Sequence, residues 1–208
     1  MNSEHYVTSK KLDLVNAIPI VHEETNFLLS DDELKYIGNL DYITNRTNKL
    51  SVDRLVLNNK NMKRVREFVN DRMISYIDEV AQVKNEFIMT QSWATITRKS
   101  ESHHHHDHPN TIFSAVYYAQ AEGGLLEFSF KPRIREGYNF TYEIKDWNSF
   151  NSVTWRVEVK TGDIVIFPGW ISHGTTENDV DVDRIVIGAN FFVKGTIGTN
   201  EGVDLIEL

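Results

Sequence analysis

The sequence predicts a mainly β protein with flanking α-helices, its strands stacked as a sandwich or jelly roll. Three observations carry this. From Phe87 onward, seven short segments rich in β-branched and aromatic residues follow one another, separated by turn residues. No helical period interrupts them, which argues against a parallel sheet with crossover helices. Upstream, one long stretch repeats its apolar residues with helical spacing. The length of 208 residues, with 40% hydrophobic and 25% charged positions, suits one globular domain. The expected organisation is an N-terminal helical elaboration over about residues 1–84, packed on a jelly-roll core at about residues 85–195.

Taken in order, Leu12 to Val21 alternates apolar and polar residues. Ser30-Asp31-Asp32-Glu33 then precedes Leu34, Ile37 and Leu40, the pattern of a capping box in which a hydroxyl and a carboxylate satisfy the first amides of a helix. Between Asn61 and Ala81, Val65, Val69, Met73, Ile77 and Val80 form one stripe of a 3.6-residue period, so the longest helix belongs there. The seven expected strands are Phe87 to Lys99, Ile112 to Gln120, Leu125 to Phe130, Thr154 to Val159, Asp163 to Phe167, His173 to Glu177 and Arg184 to Val193. Gly123-Gly124 and Thr161-Gly162-Asp163 mark tight connections. Residues 131–153 read as a long insertion, and its Arg133, Arg135, Tyr138 and Trp147 are candidates for a lid or a substrate contact.

Composition narrows the function. Cysteine is absent, which removes disulfides, thiolate metal sites and cysteine nucleophiles together. Thirty acidic against 22 basic residues give a net charge of −8, so most of the surface repels phosphate backbones and general nucleic-acid binding is not expected. No stretch has the ~18 uninterrupted apolar residues of a membrane span, and the polar start lacks the apolar segment of a signal peptide. The expected location is the cytoplasm. Nothing in the sequence specifies an oligomeric state.

Chemistry concentrates in one segment. Five of the eight histidines fall at His103, His104, His105, His106 and His108, interrupted by Asp107. The run is internal and leads into a hydrophobic strand, unlike a terminal tag. In an extended chain, residues i and i+2 project to the same side, so His106 and His108 can aim both imidazoles at one point. His105 and Asp107 can do the same on the other side, and this register stays open as the second choice. A third ligand has to come from a distant strand, and His173 stands after Phe167-Pro168-Gly169-Trp170 where a strand end and turn would bring it to the sheet's mouth. Nitrogen and carboxylate ligands without thiolates favour Fe(II), Mn(II) or zinc. Three protein ligands leave positions open for chemistry. On the last strand, alternation puts Arg184, Val186, Gly188 and Asn190 on one face; a guanidinium placed inside a barrel is costly unless it meets an anion, and its shape matches a carboxylate.

These residues resemble the Fe(II)- and 2-oxoglutarate-dependent oxygenases, particularly a branch found in many bacteria and marine phages. The resemblance rests on Trp93, His106-Asp107-His108-Pro109-Asn110, Ser114-Ala115-Val116-Tyr117-Tyr118, Gly124-Leu125-Leu126-Glu127-Phe128, Phe167-Pro168 through His173, and Arg184-Ile185 through Asn190-Phe191. These stand in unbroken order over roughly residues 87 to 193. The resemblance implies a double-stranded β-helix in which His106, His108 and His173 are the catalytic metal ligands. It implies Fe(II), 2-oxoglutarate as cosubstrate and dioxygen, with Arg184 clamping the far carboxylate, assisted by Tyr117 or Tyr118, and Asn190 on the cosubstrate side. The product would be a hydroxylated protein side chain or small metabolite. Two features depart from the superfamily pattern: the second ligand position is His108 rather than a carboxylate, and Val186 stands where many relatives carry a serine. A three-histidine cupin-like oxygenase without an oxoacid and a non-catalytic jelly-roll binding module are the competing expectations.

Overall fold

The computed structural model describes residues 17–130, 143–149, 151–198 and 204–208. In chain order, the short strand β1 (Val21–Glu23) precedes helix α1 (Asp31–Gly38), and the hairpin β2 (Tyr42–Asn45) and β3 (Asn48–Ser51) leads to helix α2 (Lys63–Tyr76). The β region follows as β4 (Glu86–Thr97), β5 (Phe113–Gln120), β6 (Leu125–Ser129), β7 (Thr154–Glu158), β8 (Ile164–Pro168), β9 (Ser172–Thr175) and β10 (Arg184–Lys194), with a small ribbon of β11 (Thr196–Ile197) and β12 (Ile206–Glu207) near the end. The seven expected strands are all present, within a few residues of their expected bounds.

Two antiparallel sheets face each other. The larger runs β1-β8-β5-β10-β4-β3-β2, the smaller β7-β6-β9. Tyr118, Val116, Leu126, Phe128, Val165 and Phe167 fill the layer between them. The outer face of the large sheet, carrying Ala115, Tyr117, Ile164, Ile166, Ile187 and Phe191, is covered by Val65, Val69, Met73 and Tyr76 of α2. A sheet enclosed on both faces loses its polar alternation, and β5 is accordingly buried at six consecutive positions.

Local chemistry explains the helices. Ser30 Oγ accepts from Glu33 N at 3.4 Å and Glu33 Oε2 accepts from Ser30 N at 2.7 Å, the reciprocal capping expected at the start of α1. The α2 stripe holds through Val65, Val69 and Met73, but after Tyr76 the chain winds into a π turn over Ile77–Ala81. Gln82 N donates to Ile77 O at 2.7 Å, five residues back. The wider turn rotates Val80 off the stripe, leaving it 38% exposed. The β2–β3 hairpin was not expected; its two-residue turn is Arg46-Thr47, with Arg46 at φ 57°, and carries no glycine.

Candidate metal centre

Residues 103–108 run antiparallel to β9 as an irregular fourth edge of the small sheet. His106 and His173 exchange both main-chain hydrogen bonds, at 2.9 and 2.8 Å, and Thr175 N donates to His103 O at 2.9 Å. Gly174 makes this approach feasible. A Cβ there would lie 2.8 Å from His103 O and 3.0 Å from His105 N, both main-chain atoms. Gly174→Ala is therefore expected to push the histidine segment off β9, lowering stability by ~1–3 kcal/mol as overpacking does. Thermal melting together with a Co(II) titration checks this; unchanged values in both would refute the tight approach.

The pairing turns alternate side chains apart. His105 and Asp107 are exposed, and His105 Nε2 meets Glu127 Oε1 at 2.9 Å on the outer surface, where Arg156 Nε donates to Glu127 Oε2 at 2.7 Å. His106 and His108 turn inward and meet His173, with ligand atoms of the three within 4.8 Å of one another. His106 Nε2 and His108 Nε2 are 3.1 Å apart. Two nitrogens bound to one ion at ~2.1 Å and at right angles would be separated by ~3 Å.

The tautomers follow from the partners. His106 Nδ1 lies 2.9 Å from His104 O and His173 Nδ1 lies 2.9 Å from Ile171 O. A carbonyl only accepts, so each Nδ1 carries its hydrogen and each Nε2 keeps a lone pair. His108 Nδ1 meets Ser114 Oγ at 2.6 Å, and Ser114 Oγ donates onward to Asn190 Oδ1 at 2.9 Å, so His108 has the same tautomer. Burial holds all three imidazoles neutral: His108 is pushed down to about 4, His106 is lowered and His173 lies well below its ordinary value. Three neutral imidazoles with converging lone pairs fit a divalent ion that accepts nitrogen ligands.

Around them Trp93, Val116, Leu126 and Val186 wall a small cleft. His103 also lines it, stacked on His106 with ring centroids 4.6 Å apart, its pKa pushed down to about 3 by burial and then by neighbouring histidines. His103, His104 and His106 form a second group of close ligand atoms, but it shares His106 with the first.

Arg184 is 1% exposed. Its Nη1 donates to Gly123 O at 3.2 Å, and its Nη2 to Thr175 Oγ1 at 2.7 Å and Thr176 O at 3.1 Å. Thr175 Oγ1 also accepts His103 N at 2.8 Å, joining the histidine segment to the guanidinium. Gly124, at φ 74°, gives Arg184 its room, because a Cβ there would overlap Nη1. Among the described residues no carboxylate forms an ion pair with Arg184, although Asp179 and Tyr118 act on it through space.

Two sequence expectations need correction. Tyr117 does not face Arg184: its hydroxyl donates to Phe27 O at 2.8 Å and its ring packs edge-on against Phe27 and Phe68, on the helix-covered side. Consecutive strand residues point oppositely, so Tyr118 alone enters the inner layer, where burial raises its pKa and Arg184 partly offsets the rise. Asn190 stands six residues from Arg184 on β10, ~20 Å at 3.3 Å per residue, and supports His108 through Ser114 rather than the guanidinium's ligand. Ser114 enters the resemblance only as the first residue of the Ser114–Tyr118 motif, with no role of its own. Arg133, Arg135 and Tyr138 lie outside the described residues, and Trp147 is 70% exposed.

Residues 91–190 match the family model described as "Putative 2OG-Fe(II) oxygenase". No curated protein sequence matches the chain. Solved structures of similar fold include HygX from Streptomyces hygroscopicus with nickel, 2-oxoglutarate and hygromycin B bound, at 13% identity and TM-score 0.56, covering 84% of this chain and 82% of that one. A prolyl-4-hydroxylase from Pseudomonas putida matches at 13% identity and TM-score 0.56, covering 86% and 94%. A Trichoplax adhaerens prolyl hydroxylase, in complex with a peptide fragment of hypoxia inducible factor, matches at 13% and 0.55, covering 83% of each.

Proposed function

We propose that this chain, whose residues 91–190 match the model of the 2OG-Fe(II) oxygenase family, is a dioxygenase of that family that hydroxylates a protein side chain or small metabolite. The observation that carries this reading is the convergence of three neutral imidazoles, each with Nδ1 hydrogen-bonded and Nε2 turned inward.

His106, His108 and His173 would hold Fe(II) through Nε2, and Arg184 would take the far carboxylate of 2-oxoglutarate. Iron held there would supply the redox chemistry for activating dioxygen, one oxygen atom going to a substrate C–H bond and the other to succinate as 2-oxoglutarate loses carbon dioxide. The protein's part is placement. Carbonyls and a serine fix the ligand tautomers, while Trp93, Val116, Leu126 and Val186 limit water in the cleft. Three imidazoles add no negative charge, so a divalent ion keeps both of its charges until an anionic cosubstrate arrives. Metal and 2-oxoglutarate should therefore bind with positive coupling.

A histidine-only donor set also suits an oxygenase that uses no oxoacid, and the buried Arg184 without an ion-pair partner among the described residues favours the oxoacid. Anaerobic titration with Fe(II) and 2-oxoglutarate tests the choice. The expected result is a visible metal-to-oxoacid charge-transfer band that saturates at one equivalent of iron. Iron binding without a band would support the cosubstrate-free enzyme, and no iron binding would favour a non-catalytic module.

A further inference from the structure

We propose that Ser114 is the positioning residue that makes His108 a metal ligand, and that Asn190 sets the direction in which Ser114 acts. The inference rests on the reading of His106, His108 and His173 as ligands. It begins with an asymmetry among the three. His106 and His173 each donate Nδ1–H to the main-chain carbonyl two residues earlier, His104 O and Ile171 O. The equivalent carbonyl for His108 is His106 O, which already accepts His173 N at 2.8 Å as part of the pairing that brings the ligands together. His108 Nδ1 pairs instead with Ser114 Oγ, at 2.6 Å.

A hydroxyl is an ambiguous partner, because it can donate as readily as it accepts. Were Ser114 to donate to Nδ1, the imidazole hydrogen would move to Nε2 and block that lone pair. The strands prevent this. Ser114 on β5, Asn190 on β10 and Gln91 on β4 are direct cross-strand neighbours. Asn190 Oδ1 accepts a hydrogen bond from Ser114 Oγ at 2.9 Å, while Asn190 Nδ2 donates to Gln91 Oε1 at 3.3 Å, which holds the amide with its oxygen toward the serine. Ser114 is fully buried and Asn190 is 4% exposed, so water does not readily replace either partner. The β10–β4 register shifts immediately after Asn190, with Thr90 as the extra residue, and Thr90 Oγ1 donates to Asn190 O at 3.2 Å. A bulge at this point re-aims the local side chains, and here it steadies the residue at the centre of the rung.

The test uses the full chain loaded with Co(II), whose paramagnetism shifts the exchangeable Nδ1–H protons of ligating imidazoles far from the rest of the proton NMR spectrum. The wild type is expected to show three such signals. Ser114→Ala and Asn190→Ala should each remove or displace one signal through faster exchange with water, keep the other two, and weaken Co(II) binding about 10–100-fold. Asn190→Asp, which retains an acceptor behind the hydroxyl, should keep all three signals. Three unchanged signals and unchanged affinity in Ser114→Ala would overturn the role of Ser114. Loss of all three together in both alanine variants would also overturn it, as general damage to the site. Fewer than three signals in the wild type would instead overturn the ligand reading beneath it.

Discussion

Replacing Arg184 with glutamine is expected to weaken 2-oxoglutarate binding by about two to three orders of magnitude while leaving Co(II) affinity within about threefold. The size follows from truncating one partner of a buried, hydrogen-bonded charge pair, which costs ~2–5 kcal/mol. The guanidinium is 1% exposed and donates to two carbonyls and one hydroxyl, which leaves its charge without a counter-charge in ion-pair contact among the described residues. Burial works against that charge. A carboxylate arriving beside it relieves the penalty, so the same burial that costs stability increases what the anion gains. Arg184→Lys retains the charge but loses the planar fork, and should fall between wild type and Arg184→Gln. Both variants withdraw donors from Gly123 O and Thr176 O, so some loss of melting temperature is expected and is measured separately. The deciding readout is the 2-oxoglutarate concentration that half-saturates the charge-transfer band. Equal half-saturation in wild type and Arg184→Gln would place the anion elsewhere.

That prediction was accessible from sequence because Arg184 breaks a rule: a charge on the inward face of an otherwise apolar strand asks for a partner. His106 and His108 were accessible for a similar reason, since a two-residue spacing in extended chain converges side chains regardless of the details of pairing. Tyr117 and Tyr118 could not be told apart. Their strand is buried on both faces, between α2 and the small sheet, so hydrophobic alternation, the signal that assigns a face, is missing. Ser114 had a faint signal, a lone hydroxyl at the start of that apolar strand and six residues after His108. Its meaning depends on Asn190 and Gln91, which are brought beside it only by strand register. The β2–β3 hairpin escaped because Arg46-Thr47 lacks the glycine or asparagine that usually announces such turns, and Val80 was misplaced because a π turn shifts the helical phase in a way no apolar pattern records.

The metal-free protein is expected to lose stability steadily as the pH falls from about 6.5 towards 4. In the unfolded chain, imidazoles titrate near 6.5. In the native protein, burial pushes His103 down to about 3 and His108 to about 4, lowers His106 and holds His173 well below its ordinary value, with repulsion from neighbouring imidazoles adding to it at His103, His108 and His173. Below pH 6.5 the unfolded chain therefore binds protons that the native protein refuses, and stability falls as the pH falls. Each such histidine contributes up to ~1.4 kcal/mol per pH unit, until its native pKa is reached. All four histidines act in the same direction over this window, against the ~5–15 kcal/mol that holds a domain folded. A divalent ion should oppose this loss, because it binds the neutral imidazoles and only the native chain assembles them. Urea unfolding measured from pH 7.5 to pH 4, with and without excess Co(II), should show a midpoint that falls steeply in the metal-free protein and later, at lower pH, in the loaded one. His108→Asn removes one buried imidazole and should flatten the metal-free slope. A metal-free midpoint that stays level from pH 6.5 to pH 4.5 would mean that the cluster takes up its protons without resisting them, and neutral lone pairs held ready for a metal would then be the wrong description of the site.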